Sequence, residues 1–130
     1  MTRWKEMEWQ ATVDVVTGIR VYRLAGVLTD SRDAARMIEL VRSEMRSDPR
    51  PILLDFTGVE LLTSAGVGMV AAIYTSAHNA RKTIALTGLN PRTRQILHVV
   101  RMLQFIRAFE DEQQALAAHA GGGWEVAPGY

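Results

Sequence analysis

Residues 51–97 read PILLDFTGVELLTSAGVGMVAAIYTSAHNARKTIALTGLNPRTRQIL, and the succession of patterns in this stretch decides the fold. Ile52-Leu53-Leu54-Asp55-Phe56 places apolar residues at consecutive positions, which predicts a central strand covered on both faces. Thr57-Gly58 predicts a turn, and a helix is expected over about residues 65–80. Residues 83–86 predict the next strand. Asn90-Pro91 then pairs a strong N-cap with proline at the first helical position, with Ile96, Val99, Val100 and Leu103 as the expected inner stripe.

Working outward, residues 8–16 and 19–24 alternate around Thr17-Gly18 and predict an antiparallel pair of strands. Thr29-Asp30-Ser31 offers caps for a helix whose Ala34, Met37, Ile38, Val41 and Met45 fall on one stripe until Asp48-Pro49 ends it. Residues 105–109 predict a short edge strand, and residues 112–120 a last helix stopped by Gly121-Gly122-Gly123. The expected fold is α/β, a mixed sheet with parallel central strands in the order ββαβαβαβα. Residues 1–7 read as an extension, 8–120 as one domain and 121–130 as a glycine-rich tail. Because Trp4, Trp9 and Trp124 all lie near the termini, terminal packing or a homodimer contact is expected of them.

Composition narrows the function. The 130 residues are 48% apolar, enough for one core. Fifteen basic and 14 acidic residues leave a net charge of +1, which supplies no global field for nucleic acid. Arg92, Arg94, Arg101 and Arg107 form at most a local basic patch without a known nucleic-acid module. With no cysteine, disulfides and thiolate metal sites are excluded. MTRWKEMEWQ has no apolar core of a signal peptide, so a cytoplasmic location is expected. Residues 61–80 carry no formal charge, but Thr63, Ser64, Thr75, Ser76, His78 and Asn79 argue against membrane insertion. His78, His98 and His119 stand singly, without metal spacing or a paired base, so neither enzyme nor cofactor is expected. Asp55-Phe56-Thr57-Gly58 lacks the loops that accompany a kinase metal motif, and Gly66-Val67-Gly68 is too short for a dinucleotide fingerprint.

The strand with Asp55, the Thr63-Ser64-Ala65-Gly66 turn, the small-residue helix, the next strand and the Asn90-Pro91 start resemble, in this order, the STAS domain family. That family is typified by bacterial anti-sigma factor antagonists. The resemblance runs from Gly26-Val27-Leu28 through Gly88-Leu89-Asn90-Pro91 to the stretch ending at about Ala118. It implies a regulatory binding module whose partner is a serine-kinase anti-sigma factor. In the family, the hydroxyl residue just before the turn glycine is phosphorylated; here that position is Ala65. Ser64 and Thr63 are the neighbouring hydroxyls and become the candidate acceptors. Ser-Ala-Gly turns also occur in STAS subunits of lipid-transport ABC systems, where the turn helps dock an ATPase, so the resemblance also implies, as an alternative, a STAS subunit of a transport or stress-signalling assembly. Arg101-Met102-Leu103 stands where many members carry a glycine. A small-ligand sensor for a nucleotide or lipid, with a pocket near Ser64 and Asn90, is a third reading.

The residues themselves support docking. A phosphoryl group at the N-terminus of a helix meets free amides and the positive dipole end, and would repel a partner that had to bury it. The plainer reading is that Ser64 caps the helix by accepting from the amide of Gly66 or Val67. Val67, Val70, Ile73, Tyr74 and Ala77 are expected to face inward, leaving Gly68, Ala71, Ala72, Thr75, Ser76 and Asn79 outward. An outer face without Lys or Glu suits close approach by another protein, or burial under the terminal segments. Ser64, Ala65, Gly66, Gly68, Ala72, Thr75 and Asn79 are the expected partner contacts. Asp55 and Asn90 are expected to shape turns.

Overall fold

A computed structural model describes residues 9–28 and 31–125. The expectations for Trp4, Glu8, Thr29, Asp30 and the end of the tail lie outside them. The elements are β1 (Trp9–Val16), β2 (Ile19–Leu28), α1 (Ser31–Ser47), β3 (Ile52–Leu62), α2 (Ser64–Asn79), β4 (Ile84–Thr87), α3 (Pro91–Val99), a 3-10 turn (Met102–Gln104), β5 (Arg107–Phe109) and α4 (Glu112–Ala120). The five strands form one sheet in sequence order. β1 runs antiparallel to β2, and the remaining neighbours are parallel. The expected order and mixed sheet are both present.

The two-residue period of each strand divides the interior. Tyr22, Leu24, Ile52, Leu54, Phe56, Ile84 and Leu86 point to the face covered by α1 and α2, where Met37, Val41, Val70 and Ile73 meet them. Val21, Leu53 and Ala85 point the other way, to Ala115 of α4 and Trp124. Residues 121–124 do not leave as a linker. Trp124 is 3% exposed, and its indole N–H donates to the Ala115 carbonyl at 2.8 Å.

Three expectations are corrected. Thr57-Gly58 is not a turn, since β3 continues through it to Leu62. Gly58 answers to the close approach of β2 beside the bulge, because a Cβ there would lie 2.9 Å from both the Ala25 Cβ and the Leu24 carbonyl oxygen. Between the pairs Arg23–Asp55 and Ala25–Gly58, β2 advances two residues and β3 three; from Gly26–Val59 to Val27–Leu61 it is one against two. β3 therefore carries two bulges, and its inward residues after Phe56 fall at Val59 and Leu62. The inner positions of α3 are Thr93 and Leu97, whereas Val99 and Val100 are 65% and 46% exposed. The helix stops at Val99, and Arg101 at φ 67° reverses the chain, so no helical stripe runs on to Leu103. The edge strand is also shorter than expected, because the 3-10 turn takes residues 102–104 and leaves Phe105 exposed.

At the base of the sheet, buried Tyr22 donates to Glu44 of α1, and Arg20 bridges Glu44 and Asp48. Burial first, then the bond to Glu44, pushes the Tyr22 phenol pKa far up. The Arg50 amide, with the guanidinium groups of Arg20 and Arg50, holds the Asp48 carboxyl down at about 2. This network fastens α1 to β2 at the end of the molecule away from the turn at Ser64.

Candidate functional site

The parallel strands deliver their C-terminal ends to one edge of the molecule, where β3 passes into α2 and β4 into α3. Thr63 is the N-cap of α2, with an extended backbone (φ −91°, ψ −178°) and no capping bond from its side chain. The capping role expected of Ser64 is thus displaced by one residue: Ser64 is the first helical residue, and its hydroxyl is exposed. Val67 N–H donates to the Thr63 carbonyl at 2.9 Å. The amides before it belong to the set that a helix leaves without an internal partner.

Asn90 ties the second end to the first. Its Oδ1 accepts from the Thr93 amide at 2.8 Å, and its Nδ2 donates to the carbonyls of Val59 and Glu60, each at 3.2 Å. One side chain therefore caps α3 and clamps the last stretch of β3 before the turn. Asp55 accepts from the Thr57 amide at 2.9 Å and the Thr57 hydroxyl at 2.6 Å, within the first bulge. The bulge is held close by Gly88 (φ 75°), where a Cβ would lie 2.2 Å from Thr57 Oγ1 and 2.7 Å from Thr57 N. Sequence reading missed Thr57 and Gly88 as partners because their contact depends on the register of β3 against β4.

The faces of α2 differ in part from expectation. Gly66, expected as a partner contact, is buried, together with Met69, Val70, Ile73 and Ala77. Val67 and Tyr74 are half-buried, so the inner arc is turned toward Met69. Ser76 lies on the flank that α1 covers, where Arg42 Nε donates to its hydroxyl at 2.8 Å. Ser64, Gly68 and Thr75 are exposed, with Ala65 and Ala72 half-buried beside them. Their four-and-three spacing makes one stripe. Asn79, at the end of the stripe, lines a shallow groove of about 380 Å³ with Arg42, Met45, Arg46, Ser76 and Ala80. That groove is not at the strand ends expected for a ligand sensor.

Among the described residues, a Cβ at Gly68 would meet nothing within 4 Å. Among the described residues no group of three His, Asp or Glu side chains could hold a metal ion. No described helix is long and apolar enough to cross a membrane.

A family model described as "Mlab, STAS domain" matches residues 18–107, which span β2 to the start of β5. The chain belongs to the STAS domain family. No curated protein matches the sequence. Among solved structures, this STAS domain is similar to the anti-sigma factor antagonist SpoIIAA in its unphosphorylated form, with 16% identity, a TM-score of 0.73, and 87% of this chain and 97% of the other covered. It is also similar to an anti-sigma factor antagonist from Mycobacterium paratuberculosis, with 21% identity, a TM-score of 0.73, and 85% and 93% covered. A sulfate transporter family protein from Wolinella succinogenes aligns with 18% identity, a TM-score of 0.68, and 82% and 88% covered. At these identities the likeness is one of fold.

Proposed function

We propose that this STAS domain is an anti-sigma factor antagonist-like switch, which docks a kinase-type anti-sigma factor on the Thr63–Ser64 turn and on the stripe of Ala65, Gly68, Ala72 and Thr75. The observation that carries this reading is Gly68. Glycine inside a helix costs about 1 kcal/mol relative to alanine. Among the described residues, nothing needs the missing side chain. A partner backbone or side chain seated directly on the helix does need it.

The exposed Ser64 hydroxyl is the acceptor in this reading. A phosphoryl group passes from ATP bound by the partner to Ser64 Oγ, the hydroxyl proton leaves, and ADP remains on the partner. The product sits against the unpartnered first-turn amides and the positive end of the helix dipole, so the fold holds. It brings a charge of about −1.5 to −2 into the docking surface, and the complex separates. SpoIIAA of Bacillus is known in a phosphorylated form, which supports the reading by analogy of fold.

A second reading, a STAS subunit of a transport assembly that docks an ATPase, is favoured by Ala65, half-buried and without a hydroxyl at the usual acceptor position. Affinity capture of the full chain from its native cell, with mass spectrometry of the partner and of residues 63 and 64, separates the two. A captured kinase with phosphate on Ser64 or Thr63 supports the switch. A captured ABC-type ATPase with unmodified hydroxyls overturns it.

A further inference from the structure

The two edges of the sheet differ. β5, at one edge, is three residues long. β1, the outermost strand at the other among the described residues, runs for eight residues, pairs with β2 in unbroken register and contains neither proline nor lysine. Short strands, prolines, lysines and bulges are the usual means of keeping an edge from pairing with another chain. β1 has none of them, and Ala11, Thr12, Val13, Asp14 and Val15 are all exposed. Val13 and Val15, 38% and 43% exposed, share the face on which α1 covers Tyr22 and Leu24 of β2.

The hairpin fixes which backbone groups of β1 look outward. Thr17 and Gly18 both have positive φ, 49° and 80°, the two-residue turn that makes Val16 and Ile19 a hydrogen-bonded pair. Alternation then turns the amides and carbonyls of Ala11, Val13 and Val15 away from β2. Two bonds agree with this. Arg20, opposite Val15, donates its amide to the Pro51 carbonyl at 2.9 Å, on the side away from β1, and the Val15 amide donates to the Asp14 carboxylate at 2.8 Å. The residues with outward pairing groups are thus the ones that carry the exposed apolar strip.

What can pair here is set by Asp14, the one charged residue of β1. On the opposite face of the strand it lies 3.4 Å from Arg23 of β2, whose register partner on β1 is Thr12. A two-fold axis that adds a second copy antiparallel keeps the outward residues opposite one another in only a few registers. Centred on Asp14, the two aspartates meet, which is repulsive. Centred on Ala11, Asp14 and Val15 run past the end of the other strand. Centred on Thr12, Asp14 lies outside the row of Arg23. Centred on Val13, Val13 meets Val13, Ala11 meets Val15, and Asp14 stands opposite Thr12, in the row that Arg23 completes. Each copy's Arg23 then reaches over its own Thr12 to the other copy's Asp14, twice by symmetry. The α1 helices, fastened over β2, stand three strand spacings apart, about 14 Å, more than the roughly 8 to 10 Å at which helices pack, so both have room.

We propose that β1 is a dimerisation edge, on which a second copy of this chain adds its own β1 antiparallel with Val13 opposite Val13. The two five-stranded sheets join into one. The Val15 amide passes from Asp14 to the Ala11 carbonyl of the other copy, and the freed carboxylate turns to the other copy's Arg23. This match of the edge to itself in charge and in apolar residues selects a second copy over a foreign strand. The inference rests on β1 and β2 alone, so it stands or falls apart from docking at the Ser64 turn.

The chain has no cysteine, so single cysteines report the register. Opposed residues of a hydrogen-bonded antiparallel pair have Cα atoms about 5.5 Å apart, within reach of a disulfide. In the full chain, Val13→Cys should form a covalent dimer under mild oxidation; Ala11→Cys and Val15→Cys should not form one alone and should when mixed. Sedimentation of the unaltered chain should give twice the 14.5 kDa of one copy, and the Ala11 and Val13 amides should exchange faster on dilution. Asp14→Arg and Arg23→Glu should each weaken self-association about tenfold or more. An equimolar mixture of the two should restore it, because both rows then set opposite charges together. Thermal melting checks both folds. Arg23 also holds Glu112 at 3.0 Å, so Arg23→Glu with Glu112→Gln replaces the single variant if that one unfolds. A monomer at every concentration, amides protected regardless of dilution, Val13→Cys crosslinking no more than Ala11→Cys, self-association indifferent to both charge changes, or a mixture that fails to associate each overturns the proposal.

Discussion

Replacing Asn90 tests whether the two strand ends that make the site are held as one unit. Asn90→Ala removes the cap accepted from Thr93, worth about 1 kcal/mol. It also removes the two bonds donated to the Val59 and Glu60 carbonyls, which together add about another 1 to 2 kcal/mol. The expected loss is about 2 to 3 kcal/mol at the midpoint of urea unfolding, with an unchanged slope. Asn90→Ser retains a capping oxygen and lacks the donors, so it should lose only the second part, about 1 to 2 kcal/mol. Asn90→Asp is the decisive variant. Aspartate caps as well as asparagine and adds favourable charge at the helix start, yet here it turns a carboxylate oxygen toward two carbonyl oxygens. It should be destabilised at pH 7 by about as much as Asn90→Ser or more. Amide exchange gives the spatial readout, with faster exchange in residues 59–67 and unchanged exchange in α1. If Asn90→Asp is as stable as the unaltered chain, or exchange near residue 64 is unaffected, the clamp between α3 and β3 does not exist.

Further outcomes follow from the same geometry. Gly68→Ala should raise stability by about 0.5 to 1 kcal/mol, as removal of a helical glycine into open space does, while weakening partner binding in a titration; undiminished binding would remove Gly68 from the docking surface. Ser64→Glu should leave thermal unfolding unchanged and reduce partner affinity about tenfold or more; equal affinity would place docking elsewhere. Trp124→Ala should cost about 3 to 5 kcal/mol, because it empties the centre of the core beneath α4; a loss below 1 kcal/mol by denaturation would show residues 121–124 to be dispensable. Asp48, with its folded pKa lowered to about 2 from 3.8, contributes stability that is present above pH 3.8 and lost as pH falls toward 2. Acid titration of Asp48→Asn should lack that part of the loss.

The strands and helices were legible where a single period governs them. The α1 stripe of Ala34, Met37, Val41 and Met45 is buried as its spacing requires. The Asn90-Pro91 start is equally plain, because its capping chemistry is local. Reading failed where tertiary contacts set the answer. Thr57-Gly58 has the composition of a turn, yet the close approach of Ala25 on the paired strand is what demands the glycine. Val99 and Val100 have the spacing of a core stripe, yet the reversal at Arg101 ends the helix beneath them. At the site, the exposed stripe of Ser64, Gly68 and Thr75 follows from helical spacing alone. The burial of Gly66 and the covering of Ser76 depend on how α1 lies against α2, which no local pattern encodes.

The two bulges of β3 separate the position of the Ser64 turn from the length of the chain that leads to it. Beyond Asp55, β3 has two residues more than β2 uses to span the same ladder. At about 3.3 Å of rise each, they are slack taken up as bends in the strand. Deleting Thr57 would take up the first bulge, keep Gly58 and Val59 opposite Ala25 and Gly26, and leave Val59 and Leu62 facing inward. Deleting Glu60 as well would take up the second bulge and leave Leu61 and Leu62 opposite Val27 and Leu28 in a regular ladder. The two extra residues are thus a reserve of chain that the strand can lose without turning its inward residues outward, while the ladder with β2 fixes where the contact residues emerge.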